Sequence, residues 1–577
     1  MRKLMIYIRN YKKEAIIAPL FKMLEASFEL LIPIIMAGII DTGIGNKDVG
    51  YIWKMCIVMI CFGIFGLICS LTAQYYAAKA SAGFGTELRR DFYAHVNSLS
   101  YRELDDIGTA TLVTRITSDI NQVQSGVNLV LRLLLRAPFI VVGAVVMAFT
   151  ISIRLTVIFL VAVPLLGTAI YLMVKMTIPI YKNVQKALDK VVSITRENYT
   201  GARVVRAFAR QDDEKQAFYE AGEAVKKRQI HAGKIAGLMN PVTYLMVNLA
   251  IICILWTGGL EVYHGGLTQG QVVALISYMT QILLALLALA VLVMSVTRAL
   301  ASAVRVNEIF ARKATLFDTE NQEQQKQPDE PLIVFDHVDF SYDGAADMAL
   351  SNISFSVLPG ETIGVIGGTG SGKSTLMQLL PRFYDASSGS VQVEGNDVKT
   401  YPFKQLRQKI GVVPQKAVLF TGTIRQNMRW GLLNASDEEI YEALAIAQAK
   451  EVVEDKAGGL DAKVLAGGKN FSGGQKQRLT IARALVRKPE ILILDDSSSA
   501  LDYATEAALR KALRENTQEM TVFLVSQRVS TVKQADRILV LDDGKIVGTG
   551  THEELWKTCK IYQEICLSQL KYEEVVG

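Results

Sequence analysis

Long runs without a charged side chain constrain this 577-residue chain more than any other feature. Residues 55–78, 155–174 and 272–297 contain no Asp, Glu, Lys or Arg. As helices rising about 1.5 Å per residue, each is long enough to cross a hydrocarbon layer about 30 Å thick. Residues 137–153 and 241–260 behave the same way, the former extended at its start by L-V-L-R-L-L-L-R (129–136). A sixth candidate, 15–40, carries Lys22, Glu25 and Glu29. Helices are therefore expected at about 15–40, 55–78, 132–153, 155–175, 241–262 and 271–298, and six crossings put both ends of the chain on one side. Half of all residues are hydrophobic and mean hydropathy is +0.25, high for a water-soluble protein.

The distribution of charge orients the crossings. Residues 175–234, between the fourth and fifth spans, hold thirteen Lys and Arg, whereas the short connections on the opposite side hold few, among them Lys47 and Arg154. Basic loops stay in the cytoplasm, so both termini and the long loops (about 79–131 and 175–240) are expected there. Apolar stripes at helical spacing predict that the membrane helices continue into these loops. The net charge of +6 is then a matter of topology: the basic residues lie between apolar runs instead of forming one basic domain, and nucleic-acid binding is not expected. The start, M-R-K-L-M-I-Y-I-R-N-Y-K-K, is basic and amphipathic, so it is expected along the inner membrane surface and not as a cleaved signal. The six cysteines have no paired metal spacing and read as small apolar residues.

Beyond Arg312 the composition changes. Residues 318–331, D-T-E-N-Q-E-Q-Q-K-Q-P-D-E-P, are polar and aperiodic, a linker. The 246 residues from 332 to 577 alternate strand and helix signals like one α/β domain. The apolar strand E-T-I-G-V-I runs into G-G-T-G-S-G-K-S-T (Gly367, Gly368, Thr369, Gly370, Ser371, Gly372, Lys373, Ser374, Thr375), followed by the helix start L-M-Q-L-L. This is a phosphate-binding loop: backbone N–H groups and a helix N-terminus face the phosphates, Lys373 reaches the β- and γ-phosphates, and Ser374 ligates Mg²⁺. In I-L-I-L-D-D (491–496), four apolar residues end in Asp495, a carboxylate suited to the nucleotide's metal ion.

Further motifs narrow the reading. F-S-G-G-Q (471–475), followed by K-Q-R-L-T-I-A-R-A-L, closely resembles the signature motif of ABC transporters. Gln415 in G-V-V-P-Q fits their Q-loop, S-A-L-D (499–502) their D-loop, and Tyr342 the aromatic that stacks on adenine. Six spans followed by one such domain resemble an ABC exporter half-transporter of the multidrug type. The fold class this implies is a multi-domain membrane protein: a six-helix all-α transmembrane domain (1–317) and an α/β P-loop nucleotide-binding domain (332–577). The resemblance further implies ATP and Mg²⁺ as cofactors, the metal held by Ser374, Gln415 and Asp495. Ser472, Gly473, Gly474 and Gln475 would contact the nucleotide bound by a second chain. Cytoplasmic coupling segments are implied around Gly108–Asp119 and Gly201–Phe208.

Three residues depart from the family pattern. Asp496 stands where a Glu usually activates the attacking water, and Gln527 where the switch-loop histidine is expected. Ala466 in L-A-G-G (465–468) occupies a usually acidic position. Together they predict a degenerate site that binds ATP but hydrolyses it slowly, in one half of a heterodimer whose partner chain carries the competent site. A slow homodimer and an ATP-gated channel or regulator are the alternatives. The expected setting is a bacterial plasma membrane, and the expected substrate a hydrophobic or amphipathic small molecule, with lipid or peptide as runner-up. Because no protease domain precedes the first span, peptide processing is not expected. Glu25 and Glu29, one turn apart, would attract cationic amphiphiles, unless Lys22 pairs with Glu25 or the three sit near the inner interface; Arg132 and Arg136 are expected near the cytoplasmic boundary.

Overall fold

A computed structural model of the chain describes residues 4–319, 331–345, 347–516 and 519–569. Most of the linker expected at 318–331 lies outside the described residues. Hydrocarbon offers no water to a free N–H or C=O, so long apolar runs satisfy their backbone internally as helices. Among the described residues, six helices are long and apolar enough to span a membrane: α1 (Leu4–Ile44), α2 (Val49–Ser98), α3 (Thr109–Ile151), α4 (Ile153–Thr200), α5 (Gln211–Tyr263) and α6 (Gln269–Ala311). Each has 41 to 53 residues, about twice what a bilayer needs. The chain divides into two compact units, Met1–Asn97 with Gly108–Arg312, and Ser98–Ile107 with Lys313–Gly577.

In the helical unit, outward-facing Ile60, Leu67, Leu160, Val161 and Leu249 are exposed, the inverse of a water-soluble bundle. Its core joins Leu155, Phe159, Ile254, Leu275, Tyr278 and Ile282 from α4, α5 and α6. The basic start packs against α2. Leu4 is buried, Tyr7 meets Phe84 of α2 edge-on at 6.2 Å, and Asn10 donates to Glu87 at 3.0 Å.

Within the apolar region the ionisable side chains pair with one another. Lys22 Nζ lies 2.5 Å from Glu25 and 3.0 Å from Ser70 Oγ, and Arg136 lies 2.8 Å from Glu29 and 3.8 Å from Glu25. Two positive and two negative charges thereby cancel locally, which lowers the cost of their desolvation. The Lys22–Glu25 pair that the sequence allowed is present, and Arg136, which the sequence left unpaired, adds contacts to Glu29 and Glu25.

At the other end of the bundle α6 starts at a capping box between Thr268 and Gln271. Asp41 of α1 adds a second cap, accepting from Thr268 Oγ1 at 2.5 Å and from the Gly270 N–H at 2.7 Å. A Cβ on Gly270 would stand 2.4 Å from the Ala37 carbonyl and 2.6 Å from Asp41 Oδ2.

The second unit is built on parallel strands, whose near-continuous Val, Ile and Leu runs suit burial on both faces. An antiparallel sheet contains β1 (Ile333–Phe340), β2 (Leu350–Val357), β4 (Ser388–Val393) and the short strand Asn396–Asp397. The main sheet contains β3 (Thr362–Gly367), β5 (Ile410–Val413), β6 (Ile491–Asp495), β7 (Thr521–Ser526), β8 (Arg537–Asp542) and β9 (Lys545–Gly550), in the order β9-β8-β3-β7-β6-β5. All neighbours are parallel except β8 and β9. Helices α7 (Lys373–Leu379), α8 (Gly473–Leu485) and α9 (Tyr503–Asn516) pack beside it.

The segment Ser98–Ile107 belongs to this unit: Asp105 accepts from Tyr384 Oη at 2.5 Å, the Tyr101 and Phe383 rings lie 4.5 Å apart, and Arg102 pairs with Asp343. The residues of the first long loop that join the α/β unit thus precede Gly108, whereas Gly108–Asp119, expected as the coupling segment, lies in the helical unit.

Gly270→Ala is expected to destabilise the helical unit by about 1–3 kcal/mol, as overpacking does. Gly259→Ala, at a position with nothing within 4 Å of a new Cβ, is expected to be neutral. Thermal unfolding of the two variants in the same detergent separates the outcomes.

Candidate functional site

In the main sheet β3, β7 and β6 are neighbours, so their carboxyl ends open onto one crevice, where ligands of open α/β sheets bind. Gly367 ends β3, Asp495 ends β6, and Gln527 follows the end of β7. Between β3 and α7 the loop turns through two glycines at positive φ, Gly370 at 83° and Gly372 at 95°. A Cβ on Gly367 would stand 2.1 Å from the Leu541 carbonyl, which the close packing against β8 forbids.

The loop closes on its own lysine. Lys373 Nζ donates to the carbonyls of Gly367 (3.0 Å) and Gly368 (2.5 Å) and to Ser371 Oγ (3.3 Å). Burial pushes its pKa below the ordinary lysine value, against the pull of Asp495 and Asp496. The Asp495 pKa is raised, chiefly by burial and further by Asp496, while the Ser374 hydrogen bond and Lys373 oppose. Both shifts follow from partial burial, which disfavours the charged form of each group.

A cavity of about 370 Å³ collects eleven of the expected residues: Tyr342, Thr369, Gly370, Gly372, Lys373, Ser374, Thr375, Gln415, Asp495, Asp496 and Gln527. Ala349 and Val525, which no motif marks, complete its wall. Tyr342 is exposed, its hydroxyl 3.0 Å from Thr375 Oγ1 and its ring edge-on to Phe340 at 4.8 Å.

The donor set suits a hard cation. Ser374 Oγ donates to Asp495 Oδ1 at 3.0 Å. Adjacent ligands of an octahedral Mg²⁺, at about 2.1 Å from the ion, lie about 3.0 Å apart, and Mg²⁺ takes its remaining ligands from water and phosphate. Ser374 and Asp495 would hold it from the protein side. Gln415, the third residue expected there, donates Nε2 to Asp496 Oδ2 at 3.3 Å, and its amide oxygen is the remaining donor.

Asp496 has φ 44°, a left-handed conformation in which Asp is among the better-tolerated residues. Its N–H donates to the Val525 carbonyl at 2.8 Å, and its own carbonyl accepts from Gln477 Nε2 at 3.3 Å. Gln477 also accepts from the Ala500 N–H at 3.3 Å, tying Asp496 to the S-A-L-D turn. Sequence reasoning missed Gln477; its position two residues after F-S-G-G-Q was the available signal.

Ser472, Gly473, Gly474 and Gln475 do not line this cavity. They form the N-terminus of α8, where Ser472 and Gln475 make a reciprocal capping box, with Ser472 Oγ accepting from the Gln475 N–H at 3.2 Å and Gln475 Oε1 from the Ser472 N–H at 3.0 Å. The Gln475 side chain therefore fixes the turn, while the Ser472 hydroxyl keeps a proton to donate. A Cβ on Gly474 would reach the Ala500 carbonyl at 3.0 Å, but one on Gly473 meets only Ala500 Cβ, at 3.6 Å.

Comparison with known proteins agrees with this geometry. Residues 15–287 match the ABC transporter transmembrane region, and residues 350–499 match the ABC transporter domain. YfiB of Bacillus subtilis, an uncharacterized ABC transporter ATP-binding protein, is 37% identical over 577 residues, 99% of both chains. An uncharacterized ABC transporter ATP-binding protein of Mycobacterium tuberculosis is 37% identical over 568 residues, 98% of this chain and 97% of the relative. An ATP-dependent lipid A-core flippase of Haemophilus ducreyi is 30% identical over 578 residues, covering 98% and 97%. A bacterial Atm1-family ABC exporter with ATP bound shares the fold, with a TM-score of 0.78 at 23% identity over 96% of this chain and 98% of that one. The chain belongs to the ABC transporter family, as a half-transporter that joins one membrane-spanning region to one ATP-binding domain.

Proposed function

We propose that this chain is one half of a heterodimeric ATP-driven exporter of hydrophobic or amphipathic compounds, and that its own ATP site is degenerate. Tyr342, the loop Gly367–Thr375 and Gln415 bind ATP, with Ser374 and Asp495 holding Mg²⁺. Ser472, Gly473 and Gly474 complete the site of a partner chain that carries the competent catalytic base. The setting is a bacterial plasma membrane, with both termini and the ATP-binding domain in the cytoplasm.

The observation that carries the reading is the pairing of Asp496 and Gln527 at one cavity. A general base must reach its water within hydrogen-bond distance. Asp is one methylene shorter than Glu, which withdraws the carboxylate by about 1 Å, and a misplacement of that size can cost about 10²-fold in rate. Here the carboxylate also accepts from Gln415. Gln527 brings an amide where an imidazole would orient the base and carry a proton. Either residue alone is compatible with turnover; together they support slow hydrolysis.

A second reading, translocation of a lipid, draws on two observations. Relatives at about 30% identity are named ATP-dependent lipid A-core flippases. In addition, Glu25 and Glu29 are neutralised by Lys22 and Arg136, which leaves no free acidic pair to select a cationic drug.

Three outcomes are expected. First, the purified single chain binds Mg-ATP but turns it over far more slowly than the co-purified pair; rapid turnover by the single chain would instead support a homodimer. Second, in the two-chain complex Gly473→Trp lowers ATPase by about 10²–10³-fold, as loss of a transition-state donor does, whereas Asp496→Asn lowers it little. Gly473 is preferred to Gly474 because its new side chain does not meet its own backbone. Third, Asp496→Glu with Gln527→His restores hydrolysis at this site by more than the product of the single effects, because both act on one phosphate. Asp496→Glu alone is limited further by the φ of 44° it must adopt. Equal loss from Asp496→Asn and Gly473→Trp would make this site catalytic and end the reading.

A further inference from the structure

Asp119 is a buried carboxylate far in sequence from the nucleotide site, at the end of the segment Gly108–Asp119 that the family resemblance marks for coupling without giving this side chain a role. It sits in the five-residue π-helical turn Arg115–Asp119 of α3 and is 4% exposed. Two arginines claim it. Arg115, on the same helix, donates Nη1 at 2.9 Å, and Arg305 of α6 donates Nε at 3.1 Å together with a shorter bond from Nη2. Arg305 Nη2 is also 2.9 Å from Ser302 Oγ.

We propose that the π-turn Arg115–Asp119 and its ion pair to Arg305 form a clamp that makes the cytoplasmic ends of α3 and α6 move as one body when nucleotide binds. A π-turn inserts one residue into an α-helix and so rotates the remainder of the helix by about 100°. In unbroken α geometry the residues on either side of the turn would not both keep their present faces toward α6. The extra residue lets Asp119 meet Arg305 while Gly126, two turns on, lies so close to α6 that a Cβ would stand 2.3 Å from Ala299 Cβ. Insertions of this kind recur at functional sites in other helices.

The connectivity gives the clamp its consequence. α3 begins one residue after Ser98–Ile107, which belongs to the ATP-binding unit, and α6 ends at the point where the chain enters that unit for good. The third crossing, at the end of α2, is tied to the same part of α6: His95 Nε2 lies 3.0 Å from the Ile309 carbonyl, and the Phe92 and Phe310 rings meet edge-on at 5.8 Å. All three places where the chain passes between the units are thus fastened to the last three turns of α6. Helices α4 and α5 are joined elsewhere, Arg228 donating to the Asn183 carbonyl at 3.0 Å. The clamp concerns transmission to the membrane helices and holds whichever chain's site hydrolyses ATP.

Asp119 and Arg305 are positioning residues, and hydrogen exchange of the full-length chain in lipid nanodiscs tests them, with Mg²⁺ and a non-hydrolysable ATP analogue as the probe. In the wild type the analogue is expected to change exchange in residues 109–123 and 300–311 together. Asp119→Asn is expected to raise exchange in 109–123 about tenfold and to abolish the analogue-dependent change in 300–311, with analogue affinity kept within about twofold. Arg305→Lys, which keeps the charge and loses the fork, should give an intermediate response. Arg115→Gln, which removes only the contact within α3, should behave as the wild type. Should Asp119→Asn fail to assemble, Arg305→Lys against Arg115→Gln carries the comparison. An analogue-dependent change in 300–311 that survives Asp119→Asn or Arg305→Lys overturns the proposal, as does equal damage from Arg115→Gln.

Discussion

In hydrocarbon no solvent is available to a free backbone N–H or carbonyl, and each one left unpaired costs several kcal/mol. The helical unit is the consequence of that constraint. Runs of 20 or so apolar residues become helices because only a helix satisfies every backbone group within the segment. Cohesion must then come from close packing and internal pairing, since lipid is as apolar as the side chains. Gly126 against Ala299, Gly143 against Leu30 and Gly270 against Ala37 are places where one helix reaches the surface of another without a Cβ between them. The polar groups obey the same constraint: Lys22 with Glu25 and Arg136 with Glu29 satisfy one another.

The ATP-binding unit answers to a different solvent and is built differently. Parallel strands buried on both faces bring three loop ends to one edge, and the site is the sum of what those loops carry. Lys373 is curled into the carbonyls of its own loop, and phosphate oxygens can take the place of these acceptors when nucleotide binds. The Ser374–Asp495 spacing already suits a small octahedral cation. Asp496 and Gln527, where the sequence departs from the family pattern, line the same cavity as Lys373 and Ser374.

The short segment Ser98–Ile107 and the helix end at Arg312 show how these two solutions are joined in one chain. The first returns to the helical unit after ten residues, having placed Tyr101, Arg102 and Asp105 against partners in the α/β unit. The second does not return. Within the helical unit, Asp119 of α3 and His95 and Phe92 of α2 meet the last turns of α6, through Arg305, the Ile309 carbonyl and the Phe310 ring.

Much of this was legible in the sequence. Uncharged runs of fixed length, a basic loop asymmetry and a glycine-rich loop between a strand and a helix are local signals, each set by backbone solvation or by φ. They pointed to six membrane helices, an α/β domain and a common crevice for Lys373, Ser374, Asp495 and Asp496. What required the tertiary structure was pairing between residues far apart in sequence. The sequence left Glu25 and Glu29 open between a cation trap, a Lys22–Glu25 pair and an interfacial position until Arg136, more than a hundred residues away, was found against them. Gln475 carries a signature motif yet spends its side chain on the cap of α8. Gln477 follows the signature motif and Asp119 ends the expected coupling segment, but what each side chain holds became visible only through its partners. Local patterns report the solvent and the backbone, but the energy of a buried charge depends on its neighbours, and those are chosen by the fold.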